Sequence, residues 1–276
     1  MKNPPAVELV LFDNPMSPYA RKVRIALCEK EASFEVRSIE RKAEREDLQR
    51  VNPRVEVPTL LVGDEAVADS TVVCELLEDL FPEPALLPRD PLARAAARAV
   101  ERFCDEQLDT LQFFASLEGR VGPLPGLGAP LVRRLDAPRA ACFGALEAAL
   151  RSRSHLVGDA LTIADIAAVA QLLAIRFLGL GPEAEHPRLC AWLARMEARA
   201  SVRRVAAEAS EAFARAAQLG AEALFAPPIA FRGARVEAAV RLGLGPWLLG
   251  ELQSGRAFLS PSAGHPESAS PALSSG

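Results

Sequence analysis

At 276 residues with a formal net charge of −4, the chain is long enough for about two domains. It lacks the concentrated basic surface that an electrostatic nucleic-acid binder needs. Half of its residues are hydrophobic and a quarter charged, which excludes wholesale disorder; with aromatics at 5%, the cores must be packed mostly with Leu, Val, Ile and Ala.

In chain order, Val7 to Phe12 is a short apolar strand. Pro18 to Glu31 reads as a helix with Val23, Ala26, Leu27 and Lys30 on one stripe, opened by Ser17 as N-cap and Pro18 at the first helical position. Phe34 to Ile39 alternates as a second strand, and Glu40 to Arg50 is a charged surface helix. Thr59–Val62 and Glu65–Ala68 flank Gly63-Asp64 as a hairpin, and Ser70 opens a helix to Leu80. The order β-α-β-α-β-β-α predicts an α/β domain of thioredoxin type.

Four prolines between Phe81 and Pro91 cannot lie inside a regular element and mark a linker. Beyond it the chain reads as all-α, with helices near Leu92–Leu117, Leu131–Ser152, Thr162–Leu178, Pro187–Arg199 and Val202–Leu219. Thr162 to Asp165 has the form of a capping box, with Asp165 as a shorter stand-in for Glu. A further stretch from Phe231 to Leu252 is broken at Gly243-Leu244-Gly245-Pro246, and the Ser, Pro, Gly and Ala tail from Ser260 is expected to be disordered. The expected division is therefore 1–83, a linker at 84–91, a helical domain at 92–225, a helical extension at 226–259 and a tail at 260–276.

Five scattered cysteines and three separate histidines form neither a disulfide framework nor a metal site, so no metal is expected and a reducing cytoplasm is. No secretory signal is expected, and the apolar run Leu161 to Ile175 is too short to span a bilayer. No membrane or nucleic-acid partner is expected.

The segment Ser17 to Arg24 carries the chemistry. Arg21, Lys22 and Arg24 follow the N-cap within two turns, where the helix dipole disfavours cations. Such a cluster is explained by an anion bound nearby or by acids elsewhere that pair with it. A serine hydroxyl at the mouth of a helix suits a bound anion, a thiolate included. Ser17 as a plain N-cap is the simpler alternative.

Ser17-Pro18-Tyr19-Ala20 stands where glutaredoxins carry Cys-Pro-Tyr-Cys. With Asn52-Pro53, Val57-Pro58-Thr59-Leu60, Asp69-Ser70, Thr162 to Asp165 and Pro187 to Leu193, it resembles the cytosolic glutathione transferases over roughly residues 7 to 205. That resemblance implies a thioredoxin-like domain plus an all-α domain, a homodimer, glutathione as co-substrate and a small-molecule electrophile as partner. It also implies roles: the Val57 backbone and a cis Pro58 hold the cysteinyl part of glutathione, Asp69 and Ser70 hold the γ-glutamyl end, and Ser17 donates to the sulfur. Lys42, Arg41, Arg45 and Arg54 are candidates for the glycyl carboxylate. Tyr19, the single tyrosine, is an alternative thiol activator, and Phe103, Phe113 and Phe114 are candidates for lining the electrophile pocket or for core. The family's usual Gly two residues before the Val of Val-Pro is here Val55, which restricts that loop. The stringent starvation protein A group, also similar to this chain, lacks that Gly too, so a non-catalytic adaptor and a glutathione-dependent isomerase stand as alternatives to a transferase.

Overall fold

The computed structural model describes residues 7–40, 42–124, 127, 130–219 and 229–259. The expected disordered tail at 260–276 lies outside the described residues, as does Arg41.

The first part is a four-stranded sheet in the order β2-β1-β3-β4, from β1 (Leu9–Asp13), β2 (Glu35–Ser38), β3 (Thr59–Val62) and β4 (Glu65–Ala68). β1 pairs parallel with β2 and antiparallel with β3, which pairs antiparallel with β4. All of β1 is buried, as a central strand covered on both faces must be. Three helices complete this part: α1 (Pro18–Glu29), α2 (Lys42–Val51) and α3 (Ser70–Leu80).

The segment read as a linker is fastened rather than loose. Lys30 Nζ donates to the carbonyls of Phe81 (2.6 Å) and Pro84 (2.8 Å), and Glu78 accepts from the Leu86 (3.0 Å) and Leu87 (3.2 Å) amides.

The predicted helix Leu92–Leu117 is interrupted. It is α4 (Pro91–Phe103), a π-helical turn at Cys104–Leu108, and α5 (Asp109–Val121). π-turns are costly insertions often found at functional sites, and this one carries Asp105. Leu131–Ser152 likewise divides into α6 (Leu131–Arg134) and α7 (Asp136–Ala149). α8 (Ile163–Phe177), α9 (Pro187–Glu197) and α10 (Ala200–Leu219) follow. The C-terminal segment holds β5 (Ile229–Phe231), α11 (Gly233–Arg241), α12 (Gly245–Gln253) and β6 (Ala257–Leu259), with β5 and β6 paired in parallel. Three-residue strands are too short to show a period in sequence, which is why only helix was expected there. Gly243, at φ +80°, ends α11: its N–H reaches Val240 O (3.0 Å) and the Leu244 N–H reaches Ala239 O (2.8 Å), a left-handed turn that suits Gly.

One connected apolar core runs from Leu9 through α8 to Ala257. α8 is its axis, buried from Ile163 to Ile175, and packs on α1, α4 and the π-turn. Its capping box forms: Asp165 Oδ2 accepts the Thr162 N–H (3.0 Å) and hydroxyl (3.1 Å). Asp165 Oδ1 also accepts the Leu156 N–H and Trp192 Nε1, both at 2.9 Å, partners that the motif does not reveal. Asp165 is thereby a structural acceptor with four buried donors on it. Asp165→Ala leaves those donors unpaired and should lower unfolding free energy by about 3–4 kcal/mol, measured by urea denaturation.

Candidate functional site

The sheet register gathers the sequence-predicted residues at one end. Phe12 pairs with Thr59, and Thr59 with Ala68. The chain segments at that edge are therefore the loop leaving β1 toward Ser17, the Val57-Pro58 pair entering β3, and Asp69-Ser70 leaving β4. Segments separated by up to about 50 residues in sequence become neighbours because two antiparallel ladders align their ends.

Ser17 is the N-cap of α1, with its Oγ accepting the Ala20 N–H at 3.3 Å. That contact uses an acceptor lone pair and leaves the hydroxyl proton free to donate. The loop behind it is held from both sides. Asn14 Oδ1 accepts the Met16 N–H (3.0 Å), and Asn14 O accepts the Ser17 N–H (2.8 Å). Arg21, fully buried, donates Nη1 to the carbonyls of Pro15 (3.0 Å) and Met16 (3.1 Å) and Nη2 to Ala170 O of α8 (3.0 Å). Burial pushes its pKa down to about 10, so it stays charged at neutral pH.

The other two cations of α1 also have dedicated partners. Lys22 Nζ meets Glu101 at 2.8 Å, Asp105 at 2.5 Å and the Thr71 hydroxyl at 3.2 Å. Burial works against the Lys22 charge, but Asp105 and Glu101 more than offset it and hold its pKa above the usual value. Arg24 pairs with Asp13 at 2.8 Å and with Glu208 of α10. Lys22 and Arg24 are thus paired with acids of other elements, and Arg21 with backbone carbonyls.

The Val57–Pro58 peptide is cis, and Val57 sits before β3, outside the ladder. Asn52 secures this loop: its Nδ2 donates to Thr59 Oγ1 (2.9 Å), and its Oδ1 accepts the Arg54 N–H (3.1 Å). Asp69 caps α3, accepting the Thr71 (2.9 Å) and Val72 (3.4 Å) amides, and Ser70 beside it is buried. Two backbones here are left-handed without being Gly: Asp69 at φ +75° and Val55 at φ +51°. Val55 keeps the conformation for which Gly is suited, although a β-branched residue pays for it. Strain of this kind persists where surrounding structure over-determines it, and clusters at ligand sites.

Tyr19, the alternative thiol activator, has its side chain engaged. Its hydroxyl donates to Asp105 O at 2.8 Å, and burial, with Asp109 and Asp105 nearby, lifts its pKa well above the usual value. Phe113 and Phe114 are packed core, edge-on to one another at 5.0 Å, and Phe113 is edge-on to Phe231 at 5.1 Å; they do not line an open cavity. Phe103 is partly buried against the same core. Of the glycyl-carboxylate candidates, Arg45 is spent on Ile39 O and Arg54 on Glu56, while Lys42 is 90% exposed in a loose pair with Glu46. The thiols of Cys28 and Cys74 are pushed up by burial.

Sequence reasoning missed Arg21 as the residue that positions the Ser17 loop, and Arg232. The guanidinium of Arg232 lies 5.1 Å from the Tyr19 ring centroid and 3.8 Å from Glu56. The run of cations in α1 was the available signal for the first; no local pattern marks the second.

The chain matches the family models for the glutathione S-transferase N-terminal domain over residues 11–85 and C-terminal domain over 128–200. It is 31% identical over 211 residues to FtsZ-localized protein A of Caulobacter vibrioides, covering 74% of this chain and 92% of that protein. It is 30% identical over 161 residues to a probable maleylacetoacetate isomerase of Caenorhabditis elegans, covering 57% and 74% respectively. A stringent starvation protein A homolog of Coxiella burnetii is 36% identical over 90 residues, 33% of this chain and 43% of that one. Among solved structures, a Methylobacterium radiotolerans glutathione S-transferase in complex with glutathione sulfonate superimposes with a TM-score of 0.61 at 33% identity, covering 72% of this chain and 94% of that one.

The left-handed Val55 gives a direct check on the strained loop. Val55→Gly should raise unfolding free energy by roughly 0.5–1 kcal/mol, the relief of a left-handed β-branched residue less the added chain entropy of Gly. The shift in urea midpoint measures it.

Proposed function

Because the chain belongs to the glutathione S-transferase family, we propose that it binds glutathione at the Ser17, Val57 and Asp69 edge of the sheet and activates its thiol for attack on a small electrophile. The observation that carries the reading is the convergence of a free-to-donate Ser17 hydroxyl, a cis Val57–Pro58 and a strained, capping Asp69 at one end of the sheet.

In this reading, Val57 offers its backbone N–H and C=O to the cysteinyl moiety as an added strand would. Asp69 faces the γ-glutamyl ammonium, while Ser70 and the α3 N-terminus face its carboxylate. Ser17 donates to the sulfur. A free thiol with pKa about 8.5 is about 3% thiolate at pH 7, and a two-unit drop gives roughly 75%. Each unit requires about 1.4 kcal/mol of preference for the thiolate, which a charge-assisted hydrogen bond and a helix N-terminus are of a size to provide. Ser17 cannot form a mixed disulfide, so conjugation or glutathione-assisted isomerisation is favoured over thiol–disulfide exchange.

Ser17→Ala should leave glutathione affinity within about twofold while kcat/KM for conjugation falls by roughly 10²-fold, as for loss of one preorganised donor. Asp69→Ala should abolish retention on immobilised glutathione. Unchanged conjugation in Ser17→Ala eliminates Ser17 as activator, and absence of glutathione binding by the unaltered protein eliminates the enzyme reading.

An adaptor without catalysis is the second reading. It is favoured by the likeness to FtsZ-localized protein A and by Val55 in place of Gly. We also propose a cytoplasmic homodimer. Free cysteines keep their thiols in that compartment, and the exposed apolar side chains Val72 of α3 and Leu92 of α4 suit a subunit contact. Light scattering should give twice the 29.6 kDa chain mass.

A further inference from the structure

The C-terminal segment folds back onto the mouth of the candidate site. Phe231 is fully buried, edge-on to Phe113 at 5.1 Å and to Trp247 at 6.2 Å. Arg235, four residues on, makes two hydrogen bonds to Asp109 at 2.8 and 2.9 Å and donates to Ala230 O at 3.0 Å. Its guanidinium also lies 4.3 Å from the Phe113 ring centroid. The backbone of Arg232 is thus pinned on both sides.

The Arg232 side chain is not pinned in the same way. It remains 41% exposed, over the ring of Tyr19 and 3.8 Å from Glu56. Tyr19 stands two residues after Ser17, and Glu56 immediately before Val57. Arg232 therefore reaches both walls of the site from a segment that belongs to neither.

The acids around it have closer partners. Arg54 holds Glu56 at 2.8 Å, Arg235 holds Asp109, and Lys22 holds Asp105 at 2.5 Å. A further cation, Arg120, lies 5.5 Å from the Phe113 ring centroid, its pKa pushed down to about 10 by burial and by Arg235 beside it. An arginine with spare donors, whose ion pair is a 3.8 Å contact to a Glu56 already held by Arg54, is set to receive an anion, and its planar fork matches a carboxylate.

We infer that Arg232 is a specificity-determining residue that selects an acceptor bearing a carboxylate, gripping that group while the thiol is held at Ser17. The inference rests on the glutathione reading of the same site and names the class of its second substrate. Tyr19 and Phe231 serve it by fixing where the guanidinium lies.

The test compares two glutathione derivatives of nearly equal size, S-carboxymethyl-glutathione and S-carbamoylmethyl-glutathione, by calorimetry on the full chain and on Arg232→Gln. The full chain should prefer the carboxylate by about tenfold, as for a charge-assisted pair over a neutral one. Arg232→Gln should reduce that preference to about twofold or less and leave the affinity for glutathione itself unchanged. Arg232→Lys should restore part of it, and raised salt should weaken it. Equal affinity of the full chain for both derivatives overturns the inference, as does a preference untouched in Arg232→Gln. If glutathione and both derivatives all fail to bind, the glutathione reading falls and this one with it; glutathione bound without discrimination sinks this one alone.

Discussion

The structure depends on three charges that are taken out of water within one helix. Arg21, Lys22 and Arg24 are all buried, and each ends on a different element of the helical part: α8, the α4 and π-turn pair, and α10. A buried charge without a partner costs several kcal/mol, so α1 is tolerable in this position only when the helical part is docked against it. The polar contacts specify the docking, and the apolar core around α8 supplies the burial that stabilises it.

The same docking sets the site. Arg21 reaches Ala170 on one side and the Pro15 and Met16 carbonyls on the other, so the loop that presents Ser17 is braced against α8. The π-turn places Asp105 where its carboxylate meets Lys22 and its carbonyl takes the Tyr19 hydroxyl. The α1 N-terminus is in this way bonded to the helical part, and the left-handed Val55 and Asp69 flank β3 and β4 at the same end of the sheet.

Much of this was legible in the sequence. The hairpin at Gly63-Asp64, the start of α3 at Ser70 and the capping box at Thr162 rest on local signals, turn chemistry and side-chain caps, that act within a few residues. The site residues could be nominated because their motifs come in the order of a known family. The interruption of the long helix after Phe103 and the β5–β6 pair were not legible. The first is a response to packing and charge partners, and the second joins strands about 25 residues apart that are too short to carry a period.

By itself, the sequence determined the α/β order of the first part, the helical character of the second and the chemistry available at Ser17, Val57, Pro58, Asp69 and Ser70, because propensity, capping and turn geometry are local. It also posed the problem of cations crowded at a helix start. Tertiary structure alone decided that those cations meet Glu101, Asp105, Asp13 and Glu208, that Phe113 packs on Phe231, and that Arg232 arrives beside Tyr19. Those pairings join residues from 11 to more than 200 positions apart. No local rule encodes such distances; burial of a charge or a ring selects its partner only once the layers have closed.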